Sequence, residues 1–101
     1  MTIYNKLVRD RIPEIIRLKG GDPVTHAATP EEYEEKLRAK LNEEVQEFLE
    51  SGSPEELADI LEVVYALGEM RQIDREQLES IRKQKAEERG TFTDRVILER
   101  S

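Results

Sequence analysis

One signal occurs twice in this chain and constrains its fold more than any other feature. Thr29-Pro30-Glu31-Glu32 and Ser53-Pro54-Glu55-Glu56 each place a hydroxyl residue, then a proline, then an acid three positions after the hydroxyl. The hydroxyl can accept from N–H groups that a helix's first turn leaves unpaired. The proline has no N–H to lose there, and the acid completes the cap. Ser51-Gly52 precedes the second signal and breaks the helix that the first begins. The pattern predicts helices over about 30–50 and 54–72. The turn between them is so short that the two must be antiparallel neighbours.

The apolar residues agree with that reading. Tyr33, Leu37, Leu41, Val45, Phe48 and Leu49 recur at helical spacing in the first of these helices. In LADILEVVYALG (57–68) only Asp59 and Glu62 are charged, and a helix apolar on nearly every side is buried on nearly every side. A chain of 101 residues, 37% hydrophobic and 39% charged, supplies little to bury it with. The expected fold class is therefore mainly α, an antiparallel helical hairpin or bundle completed by a homo-oligomer, dimer or tetramer. The helix over 54–72 is the expected contact.

Shorter elements flank this unit within a single domain. Asp10 is the expected cap of a helix from Arg11 to about Lys19, with Pro13 in its first turn and Gly20-Gly21 at its end. Asp74 is placed to cap a helix over about 75–88, ended by Gly90. Residues 3–8 read as extended. Residues 91–98 (TFTDRVIL) have strand character, with 3–8 or 22–28 as partners in a small β-pairing.

The charge is uneven. Residues 30–74 carry fourteen acids against four bases, while the flanking segments are mildly basic, in a chain of net charge −7. That balance speaks against a general nucleic-acid or anionic-membrane binder and suits a metal site that serves an anionic ligand. The absence of cysteine excludes disulfides and thiolate chemistry. No apolar run approaches a membrane span, and MTIYNKLVRDR lacks the apolar core of a signal peptide, so a cytoplasmic location is expected.

Most of the acids read as solvated helix surface. Four do not. Glu44 lies three residues after Leu41 and four before Phe48, within the apolar stripe, and Glu47 is one turn further on. Glu56 and Asp59 repeat the spacing beyond the turn. In antiparallel helices Glu44 and Asp59 then face each other at similar depth. Four carboxylates at one half-buried place need a counter-charge. The helices offer only Lys36, Arg38, Lys40 and Arg71, so a hard divalent cation is the expected occupant. Oxygen ligands without nearby His or Cys favour Mg²⁺, with Mn²⁺ as the alternative.

At these residues the sequence resembles the all-α nucleoside triphosphate pyrophosphohydrolase superfamily, the MazG-like and phosphoribosyl-ATP pyrophosphohydrolase-like group. Its mark is E-E-x-x-E on one helix and E-x-x-D on the next. Here these read Glu43-Glu44-Val45-Gln46-Glu47 and Glu56-Leu57-Ala58-Asp59. YNKLVRDRIPEII and KAEERGTF…RVIL resemble the small stand-alone house-cleaning branch. Only eight residues separate Glu47 from Glu56, fewer than in many members. The resemblance implies hydrolysis of a nucleoside triphosphate, or a related nucleotide, to the monophosphate and pyrophosphate. It implies metal held by Glu44, Glu47, Glu56 and Asp59, with Glu43 as an orienting group or general base and Glu62 a further candidate for that role. It points to Lys6, Arg9, Lys85 and Arg89 for the phosphates. The residues by themselves also fit a metal- or nucleotide-binding helical module without turnover.

Overall fold

The structure is a computed structural model and describes residues 4–101. It is helical throughout its ordered elements: α1 (Ile12–Leu18), α2 (Pro30–Ser51), α3 (Pro54–Met70) and α4 (Arg75–Arg89). In both start signals the hydroxyl caps its helix, while the acid three positions on closes no capping box; the Glu32 carboxylate lies on His26 instead (3.0 Å). Thr29 Oγ1 accepts from the Glu32 N–H, and Ser53 Oγ from the Glu55 N–H. Asp74 and Gln77 form a reciprocal capping box, each side chain accepting from the other's backbone N–H. Gly52 ends α2 in the left-handed region (φ 66), where the missing Cβ removes the steric penalty.

Two expectations need correction. Arg11, not Asp10, is the residue before α1, and no side chain caps that helix. The segment instead turns through a backbone bond from the Ile12 N–H to the Arg9 carbonyl (3.0 Å), which leaves Asp10 free to face elsewhere. Among the described residues there is no strand. Residues 91–98 are exposed and unpaired, with Phe92, Val96, Ile97 and Leu98 open to solvent. A single extended segment has no sheet edge to pair with here, and β-character without a partner does not make a strand. The expected partner segment 3–8 falls partly outside the described residues.

Packing centres on α2 and α3, which lie against one another; α4 touches α3 far less, with Arg75 reaching Glu62 and the Tyr65 ring. Residues progressively further from the break at Gly52 meet across it, Glu44 with Asp59 and, at the far end, Arg71 with Glu34 (2.9 Å). The core is small. Leu37 (2% exposed) and Val63 (8%) are its only fully buried apolar residues among those described. By contrast Leu49, Leu57 and Leu61 are exposed.

The whole chain shows the same shortage of cover. Its accessible surface is 9199 Å², whereas a folded monomer of this mass exposes about 5,900 Å². Its radius of gyration is 17.6 Å, against about 13 Å for a self-contained domain of this length. No described helix is long and apolar enough to cross a membrane.

Candidate metal centre

Acids and buried apolar residues share the inner faces of α2 and α3 at a matched spacing. Glu44 follows Leu37 by seven positions, and Glu56 precedes Val63 by seven. Seven residues are close to two helical turns, so each acid lies on the line of its helix's most buried side chain. Asp59 precedes Val63 by four and joins the same face. Glu44 is consequently buried, at 6% exposure, and Glu56 and Asp59 are half-buried.

One carboxylate oxygen from each of Glu44, Glu56 and Asp59 lies within 4.8 Å of the others. Oε2 of Glu44 and Oε2 of Glu56 are buried, and neither has a hydrogen-bond partner. A buried polar atom left unpaired is expensive, so these two oxygens are where the cluster has acceptor capacity to spare. Burial pushes the Glu44 carboxyl above the ordinary glutamate value. Neighbouring Glu47 adds to the rise, and Lys40 opposes it. Glu56 is raised by burial first, then by Glu47, Glu44 and Asp59. Glu47 thus belongs to the cluster electrostatically, although the tightest oxygen triad is formed without it.

Cations from two parts of the chain border the acids. Arg9 Nη2 donates to Asp59 Oδ1 at 2.6 Å, and Lys6 Nζ to Glu43 Oε1 at 3.2 Å. Lys40 Nζ lies 3.3 Å from Glu44 Oε1 and 3.7 Å from Glu43 Oε2. A cleft of about 310 Å³ runs beside these groups. Residues 7–10 form one wall, with Leu37, Lys40 and Glu44 from α2 and Asp59, Glu62 and Val63 from α3 opposite.

The predicted residues divide cleanly. Glu44, Glu56 and Asp59 converge, with Glu47 next to them. Glu43 stands one position aside, paired with Lys6 and Lys40. Lys6 and Arg9 reach the cluster. Lys85 and Arg89 do not; both are exposed on α4 and line no part of the cleft. Glu62 lines the cleft and has Arg75 at 3.7 Å. Sequence reasoning missed Lys40 as a site residue. Its signal was present, because it lies four residues before Glu44 and so projects beside it on α2.

The donor set is all oxygen, three carboxylates can supply a ligand atom each, and two of their oxygens are buried without partners. That set fits a hard divalent cation. No protein-family model matches the chain, and no solved structure does. A curated protein of Mycolicibacterium smegmatis, itself described only as uncharacterized, is 55% identical over 43 residues. That stretch is 43% of this chain and 44% of the relative, so the match spans less than half the length of the relative. It carries no activity across.

Proposed function

We propose that this chain hydrolyses a nucleoside triphosphate, or a related nucleotide, to the monophosphate and pyrophosphate with the help of Mg²⁺ or Mn²⁺. One observation carries the reading: three carboxylates from two helices offer oxygens within 4.8 Å of one another, and two of their buried oxygens lack any partner. The resemblance to MazG-like pyrophosphohydrolases at Glu43-Glu44-x-x-Glu47 and Glu56-x-x-Asp59 supplies the reaction class.

Glu44, Glu47, Glu56 and Asp59 would hold the metal, which when bound polarises phosphate oxygens and makes a bound water more acidic. The chain's own groups do the rest. A water oxygen bonds to the α-phosphorus, the bond from that phosphorus to the pyrophosphate oxygen breaks, and the water's proton passes to a carboxylate of the cleft. Glu43, gripped by Lys6 and Lys40, suits an orienting part in this. Arg9 in the cleft wall, and Lys6 beside it on Glu43, would neutralise the phosphates. Lys85 and Arg89 lie outside the cleft of their own protomer, so a part for them in phosphate binding requires a second copy to present them.

The reading includes an antiparallel α2–α3 hairpin as the assembling unit of a homo-oligomer. The roughly 3,000 Å² by which the surface exceeds that of a folded monomer supports it. So does the exposure of Leu57 (50%) and Leu61 (47%) on the most apolar helix. The test is pyrophosphate release from a nucleotide panel in the presence of Mg²⁺. Release that Glu44→Gln and Asp59→Asn abolish, with helicity retained, supports the proposal. Metal-induced thermal stabilisation with no product anywhere on the panel would instead identify a binding module. Absence of Mg²⁺ and Mn²⁺ binding in calorimetry overturns both.

A further inference from the structure

Three cations already stand among the five carboxylates Glu43, Glu44, Glu47, Glu56 and Asp59, and they are not held alike. Lys40 belongs to α2, is mostly buried, and is held by the helix one turn before Glu44. Lys6 and Arg9 come from residues 4–9, which have no regular secondary structure. Asn5 within that segment adopts a left-handed backbone (φ 46). The segment rests on the acids through Lys6 to Glu43 and Arg9 to Asp59, and on the cleft through half-buried Leu7 and Val8. Its side chains at Lys6 and Arg9 are otherwise exposed.

The contact that matters most is Arg9 with Asp59. Asp59 is one of the three residues whose oxygens converge, and Arg9 donates to it at 2.6 Å. A guanidinium and a divalent cation on the same carboxylate repel each other, the more strongly because the neighbouring oxygens of Glu44 and Glu56 are buried. The group tethered by a loop yields before the group anchored in a helix. With all three cations in place the five ionised carboxylates keep two uncompensated negative charges. That residual charge attracts a cation, and on Asp59 a divalent ion is a stronger counter-charge than a single guanidinium.

We propose that residues 4–9 are a strap whose Arg9, assisted by Lys6, serves as the resident counter-ion of the metal-free site, and that a divalent cation displaces Arg9 from Asp59. The displaced arginine remains at the cleft mouth with its donors free for an anionic ligand. This exchange rests on the metal reading above but goes beyond it, because it couples metal entry to movement of a segment that supplies no metal ligand.

The test is Mn²⁺ titration of the full chain by calorimetry at low salt, for wild type, Arg9→Gln, Lys6→Gln and Arg17→Gln. Arg17 is an exposed α1 residue outside the cleft, so it controls for net charge. Arg9→Gln is expected to bind Mn²⁺ about tenfold tighter than wild type, Lys6→Gln to gain less, and Arg17→Gln to match wild type. In wild type, Mn²⁺ is expected to speed tryptic cleavage after Lys6 and Arg9 as the strap lifts. Unchanged or weaker binding by Arg9→Gln, or slower cleavage with Mn²⁺, overturns the strap while leaving the metal centre standing. Absence of Mn²⁺ binding in all four proteins overturns the metal centre and the strap together. Binding by Arg9→Gln alone would support the strap in its strongest form.

Discussion

Glu44 has one oxygen near a lysine and the other buried against nothing. Without a ligand that arrangement destabilises the fold, and its pH dependence has a definite sign. Glu44 and Glu56 both hold their protons to higher pH than ordinary glutamate, near 4.5, chiefly because they are buried. The folded chain therefore binds more protons than the unfolded chain above that value. The contribution of these two groups is most favourable below about pH 4.5 and is lost as pH rises through their raised folded values. Thermal melts of metal-free protein should show Glu44→Gln gaining a few degrees over wild type at pH 7, with the gain shrinking toward pH 5. A gain that is flat across this range would show that Glu44 is not titrating as its burial requires. Mg²⁺ at neutral pH should stabilise wild type and leave Glu44→Gln nearly unmoved, because metal and proton compete for the same oxygens.

Helix ends are where local chemistry speaks most directly, and two predictions belong there. Gly52 closes α2 at φ 66 with no atom near the place a Cβ would occupy. The cost of Gly52→Ala is then purely backbone strain, about 1–2 kcal/mol in denaturant melts, and Gly52→Asn should recover part of it. Asp74→Ala removes a reciprocal cap and should cost about 1 kcal/mol, seen as early loss of α4 helicity. The same locality explains which elements were legible in advance. The starts of α2, α3 and α4 are each written in residues that touch within one turn. The start of α1 is not legible in the same way, because Asp10 is a good cap by type, yet the turn into Ile12 is closed by the Arg9 carbonyl instead. Residues 91–98 have strand character yet form no strand, because β-character is a preference that only a partner can satisfy.

At the scale of the whole molecule the chain leaves too much apolar surface uncovered. Leu37 and Val63 are a meagre core, and Leu49, Leu57 and Leu61 face outward. Sedimentation is expected to find more than one protomer per particle. Leu57→Glu with Leu61→Glu should dissociate it and lower the melting temperature by several degrees; a monodisperse monomer of unchanged stability for wild type would exclude this surface as an interface. The carboxylate site sits on the opposite account: it is assembled by α2 and α3 of a single chain, so dissociation should weaken it through stability alone.

What the amino-acid order determined by itself is the periodic and the local. Two matched helix starts around Ser51-Gly52, and acids set at helical spacing into apolar stripes, were enough to place Glu44, Glu56 and Asp59 at one depth. Helical geometry converts sequence separation into direction, and a two-residue break leaves little freedom in how the helices meet. The tertiary structure decided what periodicity cannot carry. It laid residues 4–9 across the cleft, put Arg9 on Asp59 and Lys6 on Glu43, and kept Lys85 and Arg89 away. Those contacts join segments 37 and 50 positions apart through a coil with no repeat of its own. Their partners are chosen by charge and shape in space, and neither is written in the spacing of neighbouring residues.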